Sequence, residues 1–238
     1  MTGTENLKSN SKTKKELSQW TKILLIILLI ILCLAAVASR YLYPTGRIAP
    51  ETCAVRINRN GVPMGNFFLL QVNEKYIAID AGADHIQTEK GLQKLGVSPY
   101  DVMAVFVTHA HWDHIGSLDL FDKAVIYTGN TEDSEFPDLP HQIMTDGEVI
   151  ELSGMSVQCI YTPGHTIDSV CYLVDGKHLF VGDLFVTTND PPPPNSKRYD
   201  SDLQLFYREK MLEIEGVQYV FTGHFGLFKD VRFFRLWL

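Results

Sequence analysis

No two of the four cysteines in this chain stand two residues apart. Cys33, Cys53, Cys159 and Cys171 therefore cannot form the CxxC pairs of a zinc ribbon or a dithiol redox centre. Cys159 and Cys171 fall in apolar, strand-like runs, where a buried free thiol is the ordinary reading. Gly-x-Ser-x-Gly is also absent, and with it the nucleophile turn of a serine hydrolase. Basic residues are scarce beyond the first forty positions. Residues 1–40 hold six basic and two acidic groups, which leaves 15 basic against 26 acidic in the rest, a net of −11. So acidic a domain is a poor partner for phosphate backbones. That excludes nucleic acid as the expected partner and argues against a nuclease.

The basic residues that exist are concentrated ahead of an uncharged run. Ile23 to Ala38 carries no charge and is dominated by Ile and Leu. Lys8, Lys12, Lys14, Lys15 and Lys22 precede it, and Arg40 follows. A bilayer span takes about 20 apolar residues, with a floor near 17. With Trp20 and Ser39 as interfacial neighbours, residues 23–39 are expected to form one transmembrane helix. Lysines on its N-terminal side place residues 1–22 in the cytoplasm and the domain behind it on the extracytoplasmic side of the cell membrane. A signal peptide cleaved near Ala36-Val37-Ala38, giving a secreted protein, is the alternative. Residues 40–52 read as a linker and 53–238 as a catalytic domain.

Within that domain the histidines are not scattered. Val102 to Val107 is a continuous apolar run, the pattern of a parallel strand buried on both faces. Thr108-His109-Ala110-His111-Trp112-Asp113-His114 follows directly, and a helix is expected from His114 to Phe121. Histidines one residue apart on an extended loop point the same way, because side chains alternate with period two. Asp113 and His114 are then free to face a second ion. Imidazole and carboxylate are ligands that borderline divalent metals accept.

Three further apolar runs end in ligand-type residues: Thr162-Pro163-Gly164-His165-Thr166, Val181-Gly182-Asp183 and Thr222-Gly223-His224. Glycine beside each ligand lets the backbone turn tightly and approach an ion closely. A lone Gly-His means little, since most are ordinary turns. Three of them downstream of HxHxDH form a specific pattern. The remaining segments read as strands at 53–58, 66–72, 76–80, 124–127, 148–152, 156–161, 169–174, 178–183 and 217–221, with an edge strand expected at 232–238. Helices are expected at 85–95, closed by Gly96, and at 201–215. Asp175-Gly176 signals a hairpin. Trp112, Phe185, Phe225 and the proline-rich segment 187–200, with Tyr199, are candidates to line a pocket. His85, His141 and His178 match no motif.

The order IDAG, THAHWDH, TPGHT, VGD, TGH resembles the metallo-β-lactamase-fold hydrolase superfamily, over about residues 53–226. The resemblance implies an α+β fold, a four-layer αββα sandwich with two divalent metal ions at one edge, zinc first and iron or manganese compatible. It implies that His109, His111 and His165 bind one ion, that Asp113, His114 and His224 bind the other, and that Asp183 bridges them. Asp80 resembles the aspartate that supports the metal loop, and is equally read as a plain strand-end carboxylate. The implied activity is hydrolysis of an ester, thioester, lactone or related bond of a small molecule by a metal-bridging hydroxide, with Asp113 orienting it and moving its proton. A persulfide dioxygenase-like enzyme with a single iron is the runner-up, and β-lactam hydrolysis is a further alternative.

Overall fold

The computed structural model describes residues 19–32, 45–59, 62–130, 136–186 and 200–228. The chain divides into two compact units, Met1–Leu42 and Tyr43–Leu238. In the first, residues 19–32 form helix α1. Fourteen residues rise roughly 21 Å, short of a hydrocarbon core of about 30 Å. Among the described residues no helix is long and apolar enough to cross a membrane. The span expected over 23–39 is thus not met in the described part, and 33–39 lie outside it.

The second unit holds two main sheets. The first runs β1(Gly46–Ala49), β2(Thr52–Val55), β5(Phe67–Val72), β6(Lys75–Ile79), β7(Val102–Phe106), β8(Val125–Thr128) and β9(Gln142–Ile143) in spatial order. Between β2 and β5 in the chain, β3(Asn58–Arg59) and β4(Val62–Pro63) form a small separate ladder. The second sheet runs β10(Val149–Leu152), β11(Met155–Tyr161), β12(Val170–Val174), β13(His178–Phe180), β14(Tyr219–Thr222) and β15(Gly226–Phe228). Each sheet is built from one contiguous half of the chain.

Alternation along the strands glues the layers together. On β5, Phe68, Leu70 and Val72 join the cluster between the sheets, while Phe67 and Leu69 join the cluster on the outer face. Phe68 meets Phe180 and Phe221 of the second sheet, both at 5.4 Å between ring centroids. Phe106 meets Tyr172 at 5.3 Å. Such aromatic pairs add about 0.5–1.5 kcal/mol each beyond their burial. Helix α2(His85–Leu95) covers the outer face of the first sheet through Leu92. Met211 of α4(Ser201–Leu212) packs with Leu179 and Val220 of the second sheet. The layers are therefore helix, sheet, sheet, helix, as expected.

Both helices begin where side chains cap them. Asp84 accepts from the Gln87 N–H at the start of α2, and Gly96 closes it in the left-handed conformation with φ +70°. Asp200 accepts from the N–H groups of Asp202 and Leu203 at the start of α4. Strand β7 is parallel to both neighbours, β6 and β8, and buried on both faces.

Three expectations are corrected. The linker over 40–52 contains strand β1, which pairs antiparallel with β2. The helix expected over 114–121 is instead one turn, α3(Trp112–Ile115), then a separate 3-10 turn, Leu118–Phe121. The reason is local. The His114 carbonyl accepts from Ala81 N–H at 2.7 Å and Ser117 N–H donates to Gly82 O at 3.2 Å. Backbone groups that would continue the helix are bonded to the Asp80–Gly82 turn. Helix α4 also ends at Leu212, three residues before the expected end. The expected edge strand at 232–238, and Tyr199 with residues 187–199, lie outside the described residues.

Candidate metal centre

The seven candidate ligands come together in two neighbouring groups. His109 and His111 lie just beyond β7, and Asp113 and His114 sit on α3. His165 comes from the β11–β12 connection, Asp183 from the turn after β13, and His224 from the β14–β15 turn. Two groups result, His109 with His111, His165 and Asp183, and Asp113 with His114 and His224. Within each, one ligand atom per residue lies within 4.8 Å of the others.

In the first group the ring nitrogens converge. His109 Nε2 and His165 Nε2 stand 3.0 Å and 3.1 Å from His111 Nδ1. Asp183 joins the two groups. Its Oδ2 lies 3.1 Å from His224 Nε2, 3.4 Å from His165 Nε2 and 3.9 Å from His109 Nε2, and its Oδ1 lies 3.3 Å from His114 Nε2. His224 Nε2 also lies 3.4 Å from Asp113 Oδ2.

Asp80 fixes which nitrogen faces the centre. Ionised, it only accepts, so the single Thr108 hydroxyl proton goes to it at 2.9–3.0 Å. Thr108 Oγ1 must then accept from His109 Nδ1 at 3.1 Å, which leaves a bare lone pair on His109 Nε2. His114 Nδ1 bonds Asp80 Oδ2 directly at 2.8 Å, so its Nε2 is turned inward as well. This tautomer assignment follows from the bonding network. Asp80 itself sits at φ +63°, a left-handed conformation that Asp tolerates better than most residues. Its bonds tie Thr108 and His114 to the end of β6.

Electrostatics separates the two groups when only the protein's own charges act. Burial, then the His114 charge, holds His109 well below the usual imidazole range. Burial pushes His165 down to about 4. Both rings therefore keep free lone pairs at neutral pH. Burial also opposes charge on His114, but Asp183 and Asp80 outweigh it and hold that ring well above the usual range. His224 is raised against its burial chiefly by Asp183. Burial works against the Asp183 charge, and His114 and His224 overcome it, so the carboxyl stays well below the usual range.

The residues fit a pair of divalent ions. His114 Nε2 and Asp183 Oδ1 are buried and face each other at 3.3 Å, yet neither makes a well-formed hydrogen bond among the described residues. Buried polar groups are seldom left so without cause. A Cβ on Gly223 would lie 2.5 Å from Asp183 Oδ1 and 2.7 Å from His114 Cε1, so only glycine permits this approach. Imidazole and carboxylate donors suit zinc and its divalent neighbours.

Supporting residues escaped the sequence reading. Gly65 N–H donates to Asp113 Oδ2 at 3.1 Å. Asn66, 1% exposed, donates from both its backbone and its side chain to Gly223 O, at 2.8 Å and 2.7 Å. Gln204 of α4 donates to Asp183 O at 3.2 Å, and Arg208 one turn on donates to Leu184 O at 2.6 Å. Polar residues four apart on a core-facing helix stripe were the available signal. Of the proposed pocket residues, Trp112 is half exposed and Phe185 is buried, with the Arg208 guanidinium 5.9 Å from its ring centre. His85 pairs with Asp119 at the surface, His141 bonds Leu139 O, and His178 is buried beside Tyr219 and Phe221.

With this fold and this ligand geometry the class is set. The chain belongs to the metallo-beta-lactamase superfamily, whose model matches residues 60–224. It is 27% identical over 171 residues to atrochrysone carboxyl ACP thioesterase of Aspergillus fumigatus, covering 70% of this chain and 52% of that protein. It is 34% identical over 151 residues to metallo-beta-lactamase domain-containing protein 1 of Mus musculus, covering 60% and 56%. The chain spans about half the length of these curated relatives. Among solved structures, a metallo-beta-lactamase family protein from Thermus thermophilus superposes with TM-score 0.64 at 19% identity, covering 78% of this chain and 77% of that one. A metallo-beta-lactamase from Cronobacter sakazakii gives 0.61 at 22% identity, covering 76% and 81%. These structures share the fold.

Proposed function

We propose that the chain is a dinuclear metal-dependent hydrolase acting on an ester, thioester, lactone or related acyl bond of a small molecule. The observation that carries this reading is Asp183 Oδ2, which faces imidazole nitrogens of both groups within 3.1–3.9 Å. His109, His111 and His165 would hold one ion, Asp113, His114 and His224 the other, and Asp183 both. When bound, a pair of divalent ions lowers the pKa of a water between them and polarises the substrate carbonyl. Zinc is the proposed metal on donor chemistry; iron and manganese accept the same groups.

The chain's own residues do the rest. Asp113 is 8% exposed, and its Oδ2 accepts the Gly65 N–H and lies 3.4 Å from His224 Nε2. It would take the proton of the attacking water and return it to the leaving group. Asp80 keeps His109 and His114 in the tautomer that presents a lone pair. His111 and His224 are only partly buried and mark the side open to substrate. The thioesterase among the relatives supports acyl chemistry.

The test is a panel of thioesters, esters, lactones, β-lactams and phosphodiesters offered to the metal-loaded full chain. Acyl-bond turnover is expected, abolished by a chelator, restored by zinc, and reduced about 10²–10⁴-fold in Asp113→Asn. Turnover of phosphodiesters alone, or acyl turnover indifferent to chelation, would contradict it. Oxygen uptake on a persulfide by iron-loaded protein would support the single-iron reading instead.

Export of the catalytic unit through the lysine-flanked run 23–39 is also proposed, on composition alone. Alkaline carbonate extraction of membranes tests it. Retention in the pellet, with protease access from the outer side, is the expected result; full release and inside location would contradict it.

A further inference from the structure

We infer that Asp168 is a positioning residue for the three-histidine group, setting the distance between the His109–His111 loop and the His165 loop through its bond to the Ala110 amide. This rests on the metal-centre reading above. Asp168 is 3% exposed, and its Oδ2 accepts the Ala110 N–H at 2.9 Å across 58 positions of chain. Ala110 is the residue between His109 and His111. Its amide lies beyond the last β7 pairing, at Phe106, so no strand partner serves it. A buried N–H needs an acceptor, and a carboxylate gives a stronger bond than a neutral one.

The bond stands beside another rung between these segments, a backbone one, Val170 N–H to Thr108 O at 2.9 Å. The Tyr172 hydroxyl adds one more to Val107 O at 2.9 Å. The turn that carries Asp168 is itself stiff. Thr166 N–H donates to Ser169 Oγ at 3.1 Å, the two hydroxyls bond at 2.6 Å, and Gly164 N–H donates to Thr166 O at 3.1 Å. His165 leads directly into that turn. The 3.1 Å approach of His165 Nε2 to His111 Nδ1 is therefore framed by these rungs, one of them the Asp168 side chain. Asp113 and His114 are held by other partners, Gly65 and Asp80. Loss of Asp168 should thus weaken one ion and spare the other.

The experiment measures zinc affinity of the full chain against a chromophoric chelator, and the visible spectrum after Co(II) loading. His165→Ala and His224→Ala mark the signatures of losing either ion. Asp168→Leu, which fills the space but accepts no hydrogen bond, is expected to weaken the three-histidine ion about 10–100-fold and leave the other unchanged. Asp168→Asn keeps an acceptor oxygen and is expected to restore both. The inference is overturned if Asp168→Leu binds both ions like the parent, if both ions weaken equally, or if Asp168→Asn fails as Leu does. Should Asp168→Leu not fold, Asp168→Ser, too short to reach the amide, is read by the same criteria. A parent protein that binds no metal removes the underlying reading, which separates the two failures.

Discussion

Asp80 Oδ2 and His114 Nδ1 stand 2.8 Å apart, and both side chains are almost wholly buried. The same carboxylate carries His109 through the Thr108 hydroxyl. One residue outside both groups therefore orients one histidine of each. Asp80→Ala would strand the Thr108 N–H, its hydroxyl and His114 Nδ1. Each unpaired buried donor costs about 1–3 kcal/mol. A loss of at least about 3 kcal/mol in urea unfolding of the chelated protein is expected, with weaker binding of both metals. An unchanged midpoint would refute the role.

Gly91 on α2 faces β2, where an added Cβ would overlap Val55 Cγ1. Alanine gains about 1 kcal/mol of helix propensity over glycine, but overpacking costs about 1–3 kcal/mol. Gly91→Ala is expected to be neutral to destabilising by about 2 kcal/mol. Adding Val55→Ala should recover part of any Gly91→Ala loss, which a double-mutant cycle on thermal unfolding would show. Strict additivity would mean the contact is not limiting.

Burial pushes Cys171 and Cys159 up to about 12. Cys53 is partly buried and in no disulfide, and burial raises it less. The thiolate is the reactive form. Alkylation at about pH 8, near the ordinary thiol pKa, followed by peptide mapping should label Cys53 in the folded protein, with Cys159 and Cys171 labelled only after denaturation. Ready labelling of Cys171 in the native state would contradict its burial.

His178 lies 7% exposed against Tyr219 and Phe221. Burial lowers its pKa; Asp175 and Glu51 oppose the shift and Lys177 adds to it. A ring held below its unfolded value near 6.5 binds fewer protons folded than unfolded. Its contribution is whole above that value and is lost as pH falls from there through the folded value. Chelated parent protein should lose stability between about pH 7 and pH 5 more steeply than His178→Phe. Parallel curves in urea would remove His178 as the cause.

Much of this was legible in the residue order. The candidate ligands stand out because each follows an apolar strand and sits beside glycine or in the histidine loop, and Asp80 ends a strand in the same way. Sandwich layering was implied by the resemblance to the metallo-β-lactamase-fold superfamily. What could not be read was side-chain traffic between distant segments. Asp168, Asn66, Gln204 and Arg208 look like ordinary polar residues until the fold places a backbone amide or carbonyl against each. The broken helix after His114 was missed because its carbonyl bonds a residue 33 positions earlier in the chain, Ala81. Strand β1 was missed because Pro50 and Thr45-Gly46 gave 44–52 the look of a linker.

The most direct test of the account is an anomalous difference map at the zinc edge from crystals of the zinc-loaded protein. Two peaks about 3.5–4 Å apart are predicted, one among His109, His111 and His165, the other among Asp113, His114 and His224, with Asp183 between them. Peaks only at the surface, or none among these seven side chains, would contradict it.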